Sequence, residues 1–383
     1  HPFKHYLYLI LRHITFCNTK LLQRHDMFKK LLLSMLLCSA LSFEALALNN
    51  EETYPYQNLL LNEDTYVDRV VLGEKIKDLA LNMHFSEKTT IGKVMDYSEF
   101  RSFKDLLFPI KKKSDLELPL EDLYKLMPLH HNVSAYETVE CVEYLADIAD
   151  FGQKVFYKIY PHNENNNMGI FYFRGNPDAP FAVIVSGGFG YQSIMHEGFP
   201  LALELSKQGY NAFVLSQAPK RVIDLSLYLV DAIAYIQNHA EVLNVDPNNY
   251  SLWGTSVGAQ VIINVTHHDN KGNLAGKLKV RPSMNVLLYP ISYYATKRDV
   301  PTVIVVGQQD KIVNHSVLRS AIANLEELRI PAMQIVLPGL DHGFGLGPDI
   351  NVDQEGVSWV KKVLKFWKDN THEAIIAKFN KGN

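Results

Sequence analysis

From residue 153 onward, short apolar runs alternate with longer segments in which apolar positions recur every three or four residues. The short runs are rich in β-branched residues, a pattern typical of strands that are buried on both faces, and the longer segments predict helices. This alternation predicts an α/β fold in which a mostly parallel sheet is covered by helices on both faces. The predicted strands are residues 154–160, 168–173, 181–185, 211–215, 250–253, 284–288, 302–306 and 332–337, and the predicted helices are residues 197–207, 223–243, 259–265, 315–328 and 357–368.

Residues 48–150 show a different pattern, because they are polar, rich in Lys and Glu, and carry little strand signal. They predict a helical N-terminal extension that packs on or over the sheet domain of residues 151–383. Within it, residues 138–149 predict a helix, and Cys141 in that helix is interpreted as a small buried apolar residue. The pattern leaves open whether the extension forms one wall of a cleft.

The start of the chain predicts a targeting segment. Lys29 and Lys30 precede an apolar run at residues 31–43, and Ala45-Leu46-Ala47 then offers a small-x-small cleavage site. This pattern predicts a signal peptide at residues 27–47 and a periplasmic or secreted mature protein. The run is short for a membrane span, so no stable span is expected after signal removal. Residues 1–26 are interpreted as an upstream, non-native segment, and the alternative is a single cationic membrane anchor over residues 1–43.

The composition and net charge of the chain limit the classes of function that it can have. The 383 residues permit one large domain with additions, and 47% hydrophobic residues are ordinary for a globular protein. The formal net charge of −3 gives no electrostatic case for a nucleic-acid partner. Removal of the signal peptide would leave one of the three cysteines, Cys141, so no internal disulfide is expected. That is compatible with export, because a core of this size is stable without cross-links.

The most informative motif is Gly254-Thr255-Ser256-Val257-Gly258, which lies between a predicted strand and a predicted helix. In that context the G-x-S-x-G pattern predicts a nucleophile elbow, a sharp turn that exposes the hydroxyl of Ser256. The alternative is a glycine-flanked turn with an ordinary N-cap serine.

A serine nucleophile needs a base, and two later residues fit the expected chain order of acid and then histidine. Asp310 follows the strand predicted at residues 302–306, and His342 follows the strand predicted at residues 332–337. Carboxyl ends of parallel strands share one edge of the sheet, so we expect both side chains to lie near Ser256. Asp341 is a rival acid, although its adjacency to His342 would usually point its side chain away from the imidazole.

The glycine-rich loop after the strand at residues 181–185 predicts the second half of an oxyanion hole. The expected amide donors are those of Val257, directly after the serine, and of Gly188 and Phe189 in this loop.

Other clusters are weaker. His196-Glu197 begins like a zinc-protease helix, but no histidine follows at the required offset, so neither a metal nor another cofactor is expected. Glu197 is interpreted as a brace for the oxyanion loop. The pairs His130-His131 and His267-His268 are interpreted as surface features.

These motifs also resemble those of the BD-FAE-like esterases and lipases, an acetyl-esterase type within the α/β-hydrolase superfamily. The resemblance covers roughly residues 150–370, and its most specific stretch is Pro338-Gly339-Leu340-Asp341-His342-Gly343-Phe344-Gly345. It implies the α/β-hydrolase fold and a serine esterase whose substrate is a small-molecule or carbohydrate acyl ester with a short, acetyl-like acyl group. A serine peptidase of the same fold and a non-catalytic binding protein on this scaffold are the alternatives.

Overall fold

Strands form the frame that positions the candidate active site. In the residues that the computed structural model describes, eight strands join in one sheet with the order β1-β2-β4-β3-β5-β6-β7-β8. β1 pairs with β2, and β2 with β4, in antiparallel fashion, while the remaining neighbours are parallel. The strands are β1 (Phe156–Lys158), β2 (Gly169–Phe173), β3 (Ala179–Val185), β4 (Asn211–Leu215), β5 (Val245–Thr255), β6 (Met284–Leu288), β7 (Thr302–Gly307) and β8 (Ala332–Leu337).

The strand order places β3 at the centre of the sheet, where the direction of winding reverses. The chain passes from β3 outward to β4 and then returns to β5 on the opposite side of β3. Ligand sites of open α/β sheets form at such a reversal, outside the carboxyl ends of the strands. Every residue of β4, β6 and β7 is buried, so both faces of the sheet are covered, as the sequence predicts. This is the α/β-hydrolase fold.

The helices also follow the sequence closely, with two differences. The helix predicted at residues 223–243 is divided at His239, whose backbone leaves the helical region and whose ring bonds the Tyr235 carbonyl at 2.8 Å. The helix predicted at residues 197–207 opens with a π-helical turn, Ile194–Gly198. The α-helices are α1 (Ile91–Met95), α2 (Ala135–Asp150), α3 (Phe199–Lys207), α4 (Val222–Asn238), α5 (Ala240–Leu243), α6 (Val257–His267), α7 (His315–Glu327) and α8 (Trp359–Asp369).

The described part of the N-terminal extension packs directly on the sheet. Ser134 caps α2 by accepting a hydrogen bond from the Glu137 amide, and Cys141 is buried within that helix, as expected. Tyr144 of α2 stacks on Phe173 of β2 with ring centroids 4.9 Å apart. Before α2 the chain forms α1 and short 3-10 turns, which are held to the sheet by aromatic contacts such as that of Phe103 with Phe171.

An ion-pair cluster ties the start of the described chain to α2. The ring nitrogens of His84 lie 3.1 Å from Glu143 and 3.2 Å from Asp150, and Tyr97 also donates to Asp150. The hydrogen bond to Glu143 raises the pKa of His84 above its usual value, even though burial opposes this. Together with Asp147, His84 and Glu143 form a group of residue types that can bind a metal ion. Because both nitrogens of His84 already contact carboxylates, a protonated imidazole accounts for the cluster electrostatically.

All of these residues belong to one compact unit that starts at Met83. The predicted signal peptide and the segment before it lie outside the described residues. Within the described parts of the chain, no helix is long and apolar enough to cross a membrane. The described residues are 83–160, 168–188, 191–216, 221–267, 278–347 and 358–371.

Candidate active site

Ser256 stands alone between β5, which ends at Thr255, and α6, which begins at Val257. Its φ of 48° lies in the left-handed region, which is uncommon for a residue with a side chain. A strand, a strained single-residue turn and a helix are the features of a nucleophile elbow. The backbone therefore has the geometry that the sequence predicts here.

The two glycines of the motif allow this turn to close. A Cβ on Gly254 would lie 2.6 Å from the Gly258 carbonyl, and a Cβ on Gly258 would lie 1.9 Å from the Val185 oxygen. Both distances are far below van der Waals contact. The start of α6 therefore reaches the carboxyl end of β3 only because these positions carry no side chain.

Ser256, His342 and Asp310 form one continuous chain of hydrogen bonds. The Oγ of Ser256 lies 3.0 Å from Nε2 of His342, and Nδ1 of the same ring lies 2.9 Å from Oδ2 of Asp310. The His342 side chain is 10% exposed and that of Asp310 is fully buried. A hydroxyl, an imidazole and a carboxylate in this order have the arrangement of a serine nucleophile with its base and orienting acid.

The carboxylate of Asp310 is fixed from its other side as well. Its Oδ1 accepts hydrogen bonds from the amides of Ile312 and Val313, each at 2.8 Å, so only Oδ2 faces the imidazole. These amides belong to the loop that follows β7. The loop thus orients the acid toward His342.

Asp341, the rival acid, has different partners. Its carboxylate accepts from the amide of His342 and from that of Lys311, and it pairs with the Lys311 ammonium at 3.0 Å. Partial burial acts to raise its pKa, but these hydrogen bonds and the Lys311 charge prevail and lower the pKa of Asp341 to about 2. The structure therefore brings Asp310, and not Asp341, to the imidazole.

Two of the three predicted oxyanion donors, Val257 and Gly188, lie in the described part of the chain. Val257 begins α6, and the first amides of a helix have no carbonyl partner within that helix. Gly188 has a φ of 119°, which favours glycine. The amide of Gly187 is already used, because it donates to Glu197 at 2.8 Å and to Thr255 Oγ1 at 2.6 Å. Gly188 is thus the next amide along the loop, whereas Phe189 lies outside the described residues.

Behind this loop lies a buried polar network centred on Glu197. Oε2 of Glu197 accepts from the Gly187 amide and from Ser193 Oγ at 2.6 Å, and Oε1 accepts from the Tyr289 hydroxyl at 2.7 Å. Burial would raise the pKa of Glu197, but the adjacent His130 and these hydrogen bonds hold the pKa below its ordinary value. Glu197 therefore braces the oxyanion loop as a carboxylate, as the sequence suggests.

Tyr289 links this network to the imidazole and was not predicted from the sequence. Its ring lies 4.9 Å from that of His342, and its hydroxyl accepts from the Gly345 amide at 3.2 Å. Burial and the Glu197 charge raise the pKa of Tyr289, so its hydroxyl stays protonated and keeps donating. Its position directly after β6, at the same edge as Asp310, is the signal that could have identified it.

The expectation that both histidine pairs lie at the surface is wrong for two of the four residues. The His130 side chain is only 5% exposed, and its Nε2 lies 3.2 Å from Glu197 Oε2. His267 is also buried and pairs with Asp299 at 2.8 Å. His131 is exposed as expected, and His268 lies outside the described residues. A charged partner inside the fold explains each buried imidazole.

His196, the residue before Glu197, is buried and contacts the loop that carries His342. Its Nε2 lies 3.0 Å from the carbonyl oxygen of Gly343, next to His342 in sequence. Burial, reinforced by the nearby His130, lowers the pKa of His196 to about 4, so its ring is neutral at ordinary pH. A neutral ring can donate one hydrogen bond to this carbonyl and thereby hold the loop that carries His342.

Comparisons with known proteins give structural neighbours only. No protein-family model matches the chain, and no curated protein matches it significantly. One similar solved structure is MGS-M1, an alpha/beta hydrolase enzyme from a Medee basin deep-sea metagenome library. It is 20% identical to this chain, with a TM-score of 0.43, and the match covers 56% of this chain and 96% of that one. Another is a thermophilic esterase from the Planctomycetes species Thermogutta terrifontis, Est2, which is 16% identical with a TM-score of 0.40 over 54% of this chain and 88% of that one. Est2 phosphorylated by paraoxon is 17% identical to this chain, with a TM-score of 0.42, and the match covers 57% of this chain and 93% of that one. Likeness at this level carries no argument about chemistry, which follows from the site itself.

The two aspartates adjacent to His342 lead to a direct prediction. Asp310→Asn should slow labelling of Ser256 by a fluorophosphonate about a thousandfold or more, because an amide favours the wrong imidazole tautomer. Asp341→Asn is the matched control and should leave the labelling rate nearly unchanged. The measurement is the second-order labelling rate of each purified variant. A normal rate for Asp310→Asn beside a crippled Asp341→Asn would reverse the assignment.

Proposed function

We propose that this chain is a serine carboxylic-ester hydrolase that acts through an acyl-enzyme intermediate. The observation that carries the proposal is the unbroken hydrogen-bond chain from Ser256 through His342 to the buried Asp310, at a strained elbow. Strain of this kind persists only where the surrounding structure enforces it, and it is typical of functional sites.

The geometry supports the following sequence of steps. Nε2 of His342 accepts the proton of Ser256 as Oγ attacks the ester carbonyl carbon, and a tetrahedral oxyanion forms. The Val257 and Gly188 amides, with that of Phe189, donate to this oxyanion. The imidazolium then returns the proton to the departing alkoxide, so an alcohol leaves and the acyl group stays on Ser256. Water, deprotonated by His342, releases the acid by the same path in reverse.

The role of Asp310 is to hold the imidazole in one tautomer and to stabilise the imidazolium. Two backbone amides keep its carboxylate in place, so its orientation does not depend on substrate. This preorganisation is what an orienting acid contributes to the rate.

The proposed substrate carries a short acyl group, acetyl above all, on a carbohydrate or similar alcohol. The motif resemblance supports this choice. Tyr191, just after the oxyanion loop, adds support because its hydroxyl accepts from the Leu129 amide and is hydrogen-bonded to His130. A ring held in this way is expected to narrow an acyl pocket beside the loop. Phe344 is fully buried against Tyr289, with ring centroids 4.7 Å apart, and supports that ring.

Ser256→Ala should fold like the wild type and lose nearly all hydrolysis of p-nitrophenyl acetate, because loss of a triad member leaves only the modest rate given by oxyanion donors and binding. The turnover number and fluorophosphonate labelling of both proteins test this. Retention of a tenth of the wild-type turnover, or labelling of the variant at another residue, would contradict it. Peptide anilides measured in parallel separate an esterase from a serine peptidase.

Catalytic efficiency should fall gradually from acetyl to butyryl, octanoyl and palmitoyl esters of p-nitrophenol. The gradation follows because a hydrophobic pocket discriminates by only about 1–3 kcal/mol per methylene. The measurement is kcat/KM for each ester below its solubility limit. An efficiency that increases toward the long chains would replace the short-acyl proposal with a lipase.

We further propose that the protein is exported and that its mature form begins near Leu48. The basic start and short apolar run before Ala45-Leu46-Ala47 support this. N-terminal sequencing of natively produced protein, after fractionation of the cells, is the test. A mature chain in the membrane fraction that still carries residues 31–43 would favour the anchor.

A further inference from the structure

We propose that His130 is a positioning residue of the active site and that it acts through Glu197. This inference rests on the proposed esterase function and deepens it. His130 lies in the N-terminal extension, four residues before the cap of α2, and far in sequence from the triad. Its imidazole nevertheless reaches the carboxylate that holds the oxyanion loop.

Glu197 is a buried carboxylate that depends on hydrogen-bond donors. Its side chain is 1% exposed, and three of its partners are Gly187, Ser193 and Tyr289. His130 is the fourth partner, and its Nε2 lies 3.2 Å from Oε2 of the carboxylate. A buried carboxylate that loses a donor is destabilised, so His130 helps to hold the charge of Glu197 in place.

The charge of Glu197 lies near the nucleophile. A Cβ built on Gly187 would lie 2.9 Å from Glu197 Oε2 and 3.1 Å from the Cβ of Ser256. The carboxylate and the nucleophile therefore flank the same glycine. A negative charge develops beside Ser256 in the transition state, and a carboxylate on the other side of this glycine that lacks one of its donors would oppose it.

His130 is itself held in place. Its Nδ1 lies 2.8 Å from the Tyr191 hydroxyl, which accepts the Leu129 amide, and its ring makes an edge contact with that of His196. The imidazole is thus aimed at Glu197 from a fixed segment. Both nitrogens have partners, and the side chain is nearly fully buried.

The test compares His130→Leu with His131→Gln, a matched control at the exposed neighbour. For His130→Leu we expect kcat on p-nitrophenyl acetate to fall about 10- to 100-fold with KM changed by less than about threefold, as for misplaced or opposed oxyanion donors. His131→Gln should retain both constants. Melting temperature and circular dichroism of each variant establish folding.

A rescue experiment separates the loss of this hydrogen bond from simple packing. Glu197→Gln in the His130→Leu background replaces the carboxylate that lacks a donor by a neutral amide, which can still accept from Gly187 and donate to Tyr289. We expect this second substitution to restore kcat by about tenfold, since removing both members of a buried polar pair is far less harmful than removing one. If packing alone mattered, the double variant would be no better than His130→Leu.

Two results overturn the inference, namely a folded His130→Leu with wild-type kcat and a loss of kcat that Glu197→Gln fails to restore. If His130→Leu does not fold, His130→Phe, which also lacks a donor to Glu197, is judged by the same criteria. Failure of the wild type to hydrolyse the ester or to be labelled at Ser256 would instead refute the proposed function, and normal His130 variants of an active enzyme would refute this inference alone.

Discussion

One buried carboxylate, Glu197, constrains the sheet edge at which the proposed active site lies. A buried carboxylate must receive hydrogen bonds, and a missing donor costs roughly 1–3 kcal/mol or more. Its donors come from the loop after β3, the turn before α3, the end of β6 and the N-terminal extension. Because each donor has to stay within about 3 Å of the carboxylate, segments that are distant in sequence are fixed relative to one another. The oxyanion loop and the ring that packs on His342 are two of these segments.

The elbow at Ser256 is a second constraint, and it costs free energy because its backbone is strained. A serine with φ of 48° costs of order 1–3 kcal/mol and persists only if its neighbours enforce the conformation. Gly254 and Gly258 allow α6 to pack closely on β3. On the other side of the turn, the Ser256 amide donates to the Leu288 carbonyl at 2.9 Å. These contacts hold Ser256 in its strained conformation. The hydroxyl is therefore presented to His342 by the backbone itself, before any substrate arrives.

The sequence predicts the sheet well because burial on both faces leaves a local signature. Strands β4, β6 and β8 have the bounds expected from their apolar runs, whereas β5 begins earlier, at Val245, through an irregular pairing with Ala179. The triad residues were found because each follows a strand end with its own local motif. His130 was missed for the opposite reason. A histidine pair in a polar stretch is typical of a surface, and only the tertiary contact with Glu197 makes one member a buried residue.

The N-terminal extension contacts the loops on both sides of the proposed active site. Loops that carry catalytic groups are usually the mobile parts of a fold. Here the Leu106 carbonyl accepts from Gln192, and the Leu129 amide donates to Tyr191. The extension therefore holds the segment that follows the proposed oxyanion loop. The His131 amide donates to the Gly343 carbonyl, which also contacts His196, so the same segment grips the loop that carries His342. Both halves of the site are thus held by one stretch of chain. Electrostatic stabilisation of an oxyanion depends on donors that are oriented in advance, and these contacts of the extension would supply that orientation to the proposed donors.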